Sequence, residues 1–190
     1  MARVRKNLAM QGLTGLLGDQ ILLRTDKAGR TIVGVRPTYS ENREFTEAQA
    51  AHHAAFRDAV AYAKANKDLD IYRQRAERTP QNAYNVAVAD WFNEPQVKEV
   101  DLEAWSGQPG QIIRVWAMDD VQVSKVSVVI TRPDGTMLEQ GEAVQADEMW
   151  WNYTTTAPAG LDARLSVTAR DLPGHTDKFT VSRLIPGSTH

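Results

Sequence analysis

The sequence predicts an α+β chain in three parts: an N-terminal arm with a β-hairpin, a small helical segment, and a C-terminal antiparallel β-sandwich. Three observations carry this. From about Val97 to Val181, apolar and polar residues alternate in short runs separated by turn residues. Between Thr46 and Asn93 the apolar spacing changes to that of helices. Ahead of both lies a basic stretch with Gly12, Gly15 and Gly18 at every third position, then two short runs around a glycine-containing loop. The resulting boundaries are 1–45 for the arm and hairpin, 46–95 for the helices and 96–190 for the sandwich.

In the first part, Gln20–Thr25 and Arg30–Arg36 flank Asp26-Lys-Ala-Gly29, where Gly29 supplies the positive φ a tight hairpin needs. Pro37 ends the second strand, and Thr38 to Arg43 reads as polar and extended. The spaced glycines imply a flexible arm or a close backbone approach. They lack the preceding strand and the spacing of a dinucleotide fingerprint. A two-stranded hairpin is marginal alone, so it must lie on helices or on a neighbouring subunit.

In the second part, Thr46-Glu-Ala-Gln49 is a capping box that opens a helix running to about Asn66, with Phe56, Val60 and Ala63 on one face. A second helix is expected to place Leu69, Tyr72 and Ala76 together. Thr79-Pro80 is expected to cap a third, carrying a stripe of Tyr84, Val88 and Trp91 and ended by Glu94-Pro95.

In the third part, inward positions are expected at Val100 and Leu102; Ile113, Val115 and Ala117; Val126, Val128 and Ile130; Trp151 and Tyr153; Leu165, Val167 and Ala169; and Phe179 and Val181. Pro133-Asp-Gly135 and Pro173-Gly174 supply turns. Six or seven short strands follow. Alternation puts Ile112 and Trp116 on the face opposite the core, and Trp150 opposite Trp151.

These phrases resemble bacterial immunoglobulin-like domains. The stretch from Val115 through Asp119, Asp120, Val123 and Val126 to Val128 matches one bracket of that family's core. Val167, Ala169, Asp171 and Gly174 match the other. The likeness covers about 85 residues and implies a fold, not an activity. The first 66 residues resemble a group of uncharacterised bacterial proteins with spaced glycines, a hairpin closing on Arg36-Pro37, and a Thr46–Gln49 box before an alanine-rich helix containing Phe56. That resemblance implies a shared mode of assembly.

A chain of 190 residues with no cysteine excludes a disulfide scaffold, a thiolate zinc site and a cysteine nucleophile. The net charge of −2 conceals a polarity: residues 1–45 carry +4, 46–95 carry −1 and 96–190 carry −5. A basic arm on an acidic body suits another copy's acidic surface more than nucleic acid, and a solvated, incidental difference is the equally weighted alternative. The basic N-terminus around Arg3 and Arg5 is followed by an apolar run interrupted by glycines, so no cleaved signal peptide or membrane span is expected, and the chain is expected in the cytoplasm on synthesis.

No phosphate loop, nucleophile elbow or Ser/His/Asp order is present, and no small-molecule substrate or cofactor is expected. His52-His53 are neighbours on a helix and point about 100° apart, which disfavours a shared metal. Asp119, Asp120, Asp171 and Asp177 lie in inter-strand loops, where either turn capping or calcium is chemically reasonable, and turn capping is favoured.

The expectation is therefore a non-enzymatic structural subunit that forms a homo-oligomer or homopolymer (a filament, a tube or a phage-like particle) through its N-terminal arm. Its contacts are assigned to Arg3, Arg5, Leu13, Leu16, Leu17, Ile21 and Leu23 on the arm, and to Trp105, Trp116 and Trp150 on the receiving surface. The alternative is an immunoglobulin-like binding module for carbohydrate or nucleic acid.

Overall fold

A computed structural model describes residues 2–3, 13–18, 20–36, 38, 44–159 and 162–184. The chain divides into two compact units, residues 1–88 and 89–190. Arg5, Gly12, Pro37 and most of the segment expected to be extended after Thr38 lie outside the described residues.

The first unit contains a four-stranded antiparallel sheet in the order β1-β4-β3-β2, from β1 (Ala2–Arg3), β2 (Gly15–Leu17), β3 (Ile21–Thr25) and β4 (Thr31–Val35). The expected hairpin is β3–β4. Asp26 closes it, its carboxylate accepting from the backbone N–H groups of Ala28 (3.0 Å) and Arg30 (2.9 Å), with Gly29 at φ +74°. The arm adds a strand on each side of that hairpin. Gly15 and Gly18 have φ +124° and +57°, and a Cβ at either would meet nothing within 4 Å. Neither position is closely packed, and both hold the positive φ that glycine tolerates.

Helix α1 (Glu47–Asn66) begins at the capping box: Gln49 N–H donates to Thr46 Oγ1 (3.3 Å), and Gln49 Oε1 accepts from Thr46 N–H (3.2 Å). Its buried residues are Ala59 and Ala63, whereas Phe56 is 49% exposed. The buried stripe thus follows the small residues and leaves the aromatic ring at the surface. In α2 (Asp70–Glu77), Tyr72 and Ala76 are buried, and the Tyr72 and Tyr62 hydroxyls lie 2.7 Å apart. Leu69 is the N-cap and remains exposed.

Helix α3 (Ala83–Phe92) starts later than Thr79-Pro80 suggests. The side chain of Asn82 caps it instead, accepting from Asn85 N–H at 2.8 Å. Val86, Ala87 and Asp90 are its buried residues, while Tyr84, Val88 and Trp91 are only half-buried. Lys27 Nζ donates to the Gln81 carbonyl at 3.2 Å, tying the hairpin loop to the segment before α3.

The second unit is an immunoglobulin-like sandwich of two four-stranded antiparallel sheets. One has the order β5-β6-β10-β9, from β5 (Gln96–Asp101), β6 (Ile112–Met118), β10 (Trp150–Thr154) and β9 (Val144–Gln145). The other is β12-β11-β7-β8, from β12 (Thr176–Leu184), β11 (Asp162–Asp171), β7 (Val123–Thr131) and β8 (Met137–Glu142). These orders correspond to the ABED and GFCC′ sheets of that fold. The expected inward residues of β6, β7, β10 and β11 all lie in the core. Phe179 does not, being 37% exposed on edge strand β12.

The short strands β8 and β9 lack clean alternation, so the sequence pattern does not announce them. Inward-facing Gly141 on β8 leaves room for the Tyr153 ring of the opposite sheet; a Cβ there would lie 2.9 Å from Tyr153 Cε2. Glu139, also buried on β8, accepts from Thr156 N–H (2.6 Å) and Ala157 N–H (3.0 Å) after β10. Burial, and the Glu139 carboxylate beside it, hold the Tyr153 hydroxyl above the usual phenol range.

Candidate functional site

Strand alternation gives β6 a second face. Ile112, Arg114, Trp116 and Met118 point away from the core, and Ile112 and Met118 stay 40% and 39% exposed. Register then sets their neighbours: Trp150 lies opposite Trp116, and Asn152 opposite Arg114. The two indole rings stack with centroids 6.0 Å apart and planes 28° from parallel. The Arg114 guanidinium carbon sits 4.4 Å from the centre of the Trp150 ring, and its Nη1 is 3.9 Å from Asp101 Oδ2.

Carboxylates rim this strip. Glu99 and Asp101 on β5 are the register partners of Trp116 and Arg114. Asp147 precedes β10 and accepts from the backbone N–H groups of Met149 (3.0 Å) and Trp150 (2.9 Å), which hold its carboxyl below the usual range. The result is an aromatic and apolar strip with one engaged guanidinium and an acidic border. Its chemistry is that of contact, through stacking, apolar burial and charge.

Trp105, assigned to the same receiving surface, is placed elsewhere. It has no exposed surface and packs in the sandwich core. Strand β5 ends at Asp101, whose side chain accepts from Glu103 N–H (2.9 Å), and Trp105 N–H donates to the Leu102 carbonyl (3.0 Å). The chain turns back there, so strand alternation no longer governs which way the indole points.

The arm residues converge on one end of the N-terminal sheet. Leu17, Ile21 and Val35 are register partners across three strands, and are 57%, 37% and 80% exposed. On the opposite face Leu16 and Leu22 pair, at 48% and 41%. Leu13 is 45% exposed, whereas Leu23 is buried at 4%. Arg3 lies on β1 opposite Ile32, and Arg5 is outside the described residues.

The loop aspartates separate into two groups. Asp171 is buried and accepts from Gly174 N–H and His175 N–H, each at 2.6 Å, with its other oxygen 3.1 Å from His175 Nδ1. Asp177 accepts from Val97 N–H at 2.8 Å. Both serve the backbone. Asp119 and Asp120 instead meet Asp90 of α3, with one carboxylate oxygen of each lying within 4.8 Å of the others.

These three carboxylates form an oxygen set of the kind hard divalent cations take. An open hollow of about 480 Å³ beside them is bounded by Phe92, Asn93, Glu94, Gln96, Met118, Asp119 and Asp120. Burial and the neighbouring Asp120 charge push the Asp119 carboxyl up, outweighing the backbone N–H groups of Gln122 (2.9 Å) and Val121 (3.2 Å) that donate to it. Sequence patterns alone miss Asp90 and Arg114. A lone acid in the apolar run of α3 is the available signal for the first, and an arginine between two outward apolar residues for the second.

Among the described residues, no helix is long and apolar enough to cross a membrane. No family model matches the chain, and no curated protein matches it. Solved structures give distant likenesses over about half of the chain. CopC from Methylosinus trichosporium OB3b is 12% identical, over 51% of this chain and 98% of its own, with a TM-score of 0.41. The PKD domain of the human VPS10 domain-containing receptor SorCS2 is 14% identical over 52% and 75%, with a TM-score of 0.26. A conjugative transposon lipoprotein from Bacteroides eggerthii is 11% identical over 48% and 95%, also at 0.26. These are likenesses to other proteins' folds and carry no activity across.

Proposed function

We propose that this protein is a non-enzymatic structural subunit that assembles with copies of itself into a homopolymer, with the N-terminal sheet as its contact element. The observation that carries the reading is the apolar end of that sheet. Leu17, Ile21 and Val35 form an exposed row across three strands, and Leu16 and Leu22 form a second on the reverse face. An apolar surface of this kind marks a site of association. The leucines and Ile21 are roughly half exposed, so covering each contributes roughly 1 kcal/mol, half the value for burying a whole Leu or Ile, and Val35 is more exposed still.

Sedimentation velocity across a concentration series tests the reading. The wild-type chain should grow into species much larger than 21.2 kDa, and Leu17→Glu with Val35→Glu should return it to a single small species. A wild-type chain that stays at 21.2 kDa at every concentration refutes self-assembly. A second reading, a carbohydrate-binding module, draws support from the stacked Trp116–Trp150 pair. Against it, the indoles already stack on each other, and Arg114 lies over Trp150.

A further inference from the structure

Resting on that reading, we infer which surface receives the N-terminal sheet: the outer Trp116–Trp150 face of the sandwich on a second copy of the chain. Charge selects this partner. Residues 1–45 carry +4 and residues 96–190 carry −5, so pairing two N-terminal sheets brings like charges together, whereas sheet on sandwich joins opposite ones. On the receiving side the charge is local. Glu99, Asp147 and Glu148 are exposed carboxylates around the aromatic strip, and Arg114 is already held by Asp101 and Trp150. On the donor side, exposed Arg36 follows Val35 at the same edge of the sheet, on the face opposite the apolar row.

The dimensions agree. A row across three strands spans about 10 Å, and the stretch of β6 from Ile112 to Trp116 runs about 13 Å. Two such faces can stack as sheets do, with the Leu17–Ile21–Val35 row lying along Ile112 and Trp116. Donor and receiver are different patches of one chain, so the contact is head-to-tail and repeats until it closes into a ring or continues as a filament.

The chain has no cysteine, so introduced thiols report contacts without background. Val35→Cys and Ile112→Cys chains are oxidised under mild conditions, separately and mixed, and run on a non-reducing gel. The mixture should give a covalent dimer at least about tenfold above either chain alone, and a chain carrying both cysteines should give a ladder. Ile112→Glu, an exposed substitution checked for folding by circular dichroism, should weaken association at least about tenfold, the effect of losing about 1.4 kcal/mol.

If Val35→Cys cross-links to itself as well as to Ile112→Cys, the sheets pair with each other, and the proposed receiver is wrong while self-assembly stands. The receiver is equally wrong if wild type polymerises but no mixed dimer forms. If the doubly substituted chain closes only on itself, the sheet docks within its own chain and the inference fails. A wild type that never associates removes the underlying reading first.

Discussion

Gly141→Ala isolates a single contact between the two sheets of the sandwich. Gly141 does not have a positive φ, so alanine meets no backbone strain there. The obstacle is the Tyr153 ring, whose Cε2 would lie 2.9 Å from the new Cβ. That ring is 4% exposed and packs in the core beside its register partner Ile113, so it has little room to move. Forcing a methyl into a filled core costs roughly 1–3 kcal/mol. Replacing glycine by alanine returns about 0.4–1 kcal/mol by restricting the unfolded chain.

The net expectation is a loss of roughly 0.5–2 kcal/mol, read from urea unfolding followed by tryptophan fluorescence. Shortening the ring should reverse the sign. In a Tyr153→Leu background, Gly141→Ala should be neutral or stabilising, giving a coupling of about 1–3 kcal/mol in a double-mutant cycle. A Gly141→Ala cost that is unchanged in the Tyr153→Leu background would show that the glycine is not there to admit the ring.

Two further outcomes follow from the site chemistry. Asp119 has its carboxyl pushed above the ordinary value of 3.8, so just above that value the folded chain keeps a proton that the unfolded chain has released. Its charge therefore costs stability at neutral pH, and the cost is relieved as pH falls through the raised folded value. Asp119→Asn should be more stable than wild type at pH 7 by urea unfolding, with the gap closing toward pH 4; a gap independent of pH would refute this. Asp171→Ala removes the acceptor for two backbone N–H groups in the β11–β12 turn, and should destabilise by roughly 2–4 kcal/mol. A change within about 0.5 kcal/mol, the usual range for surface substitutions, would mean that water replaces the carboxylate freely.

The sandwich is legible in the sequence because its strands bury one face, and Ile113, Val126 and Leu165 each sit in a period-two pattern. Short edge strands carry no such signal. Glu139 and Gly141 on β8 are chosen by the Thr156 loop and the Tyr153 ring opposite them, which no local pattern announces. The helices are legible only in part. Ala63, Tyr72 and Ala76 are buried as their spacing predicts, whereas Phe56 and Leu69 are exposed and Ala59 is buried. The outward Trp116 and Trp150 are legible by alternation, and Trp105 is not, because it follows a turn. Asp90 meets Asp119 and Asp120 only through the tertiary fold.

The pairing of β6 with β10 also sets a timetable. Trp116 finds Trp150, and Ile112 finds Thr154, so the sheet that carries the outer tryptophan face is incomplete until that stretch of chain has been made. The N-terminal sheet needs only local partners, Leu17 to Ile21 and Thr25 to Thr31. On a ribosome adding about 5–20 residues per second, the N-terminal sheet emerges several seconds before that face is complete. Under the proposed head-to-tail contact, a nascent chain would in that interval offer a donor but no receiver. Growth would then proceed by adding new chains to the receiving end of mature ones, giving the polymer a direction set by the order of synthesis.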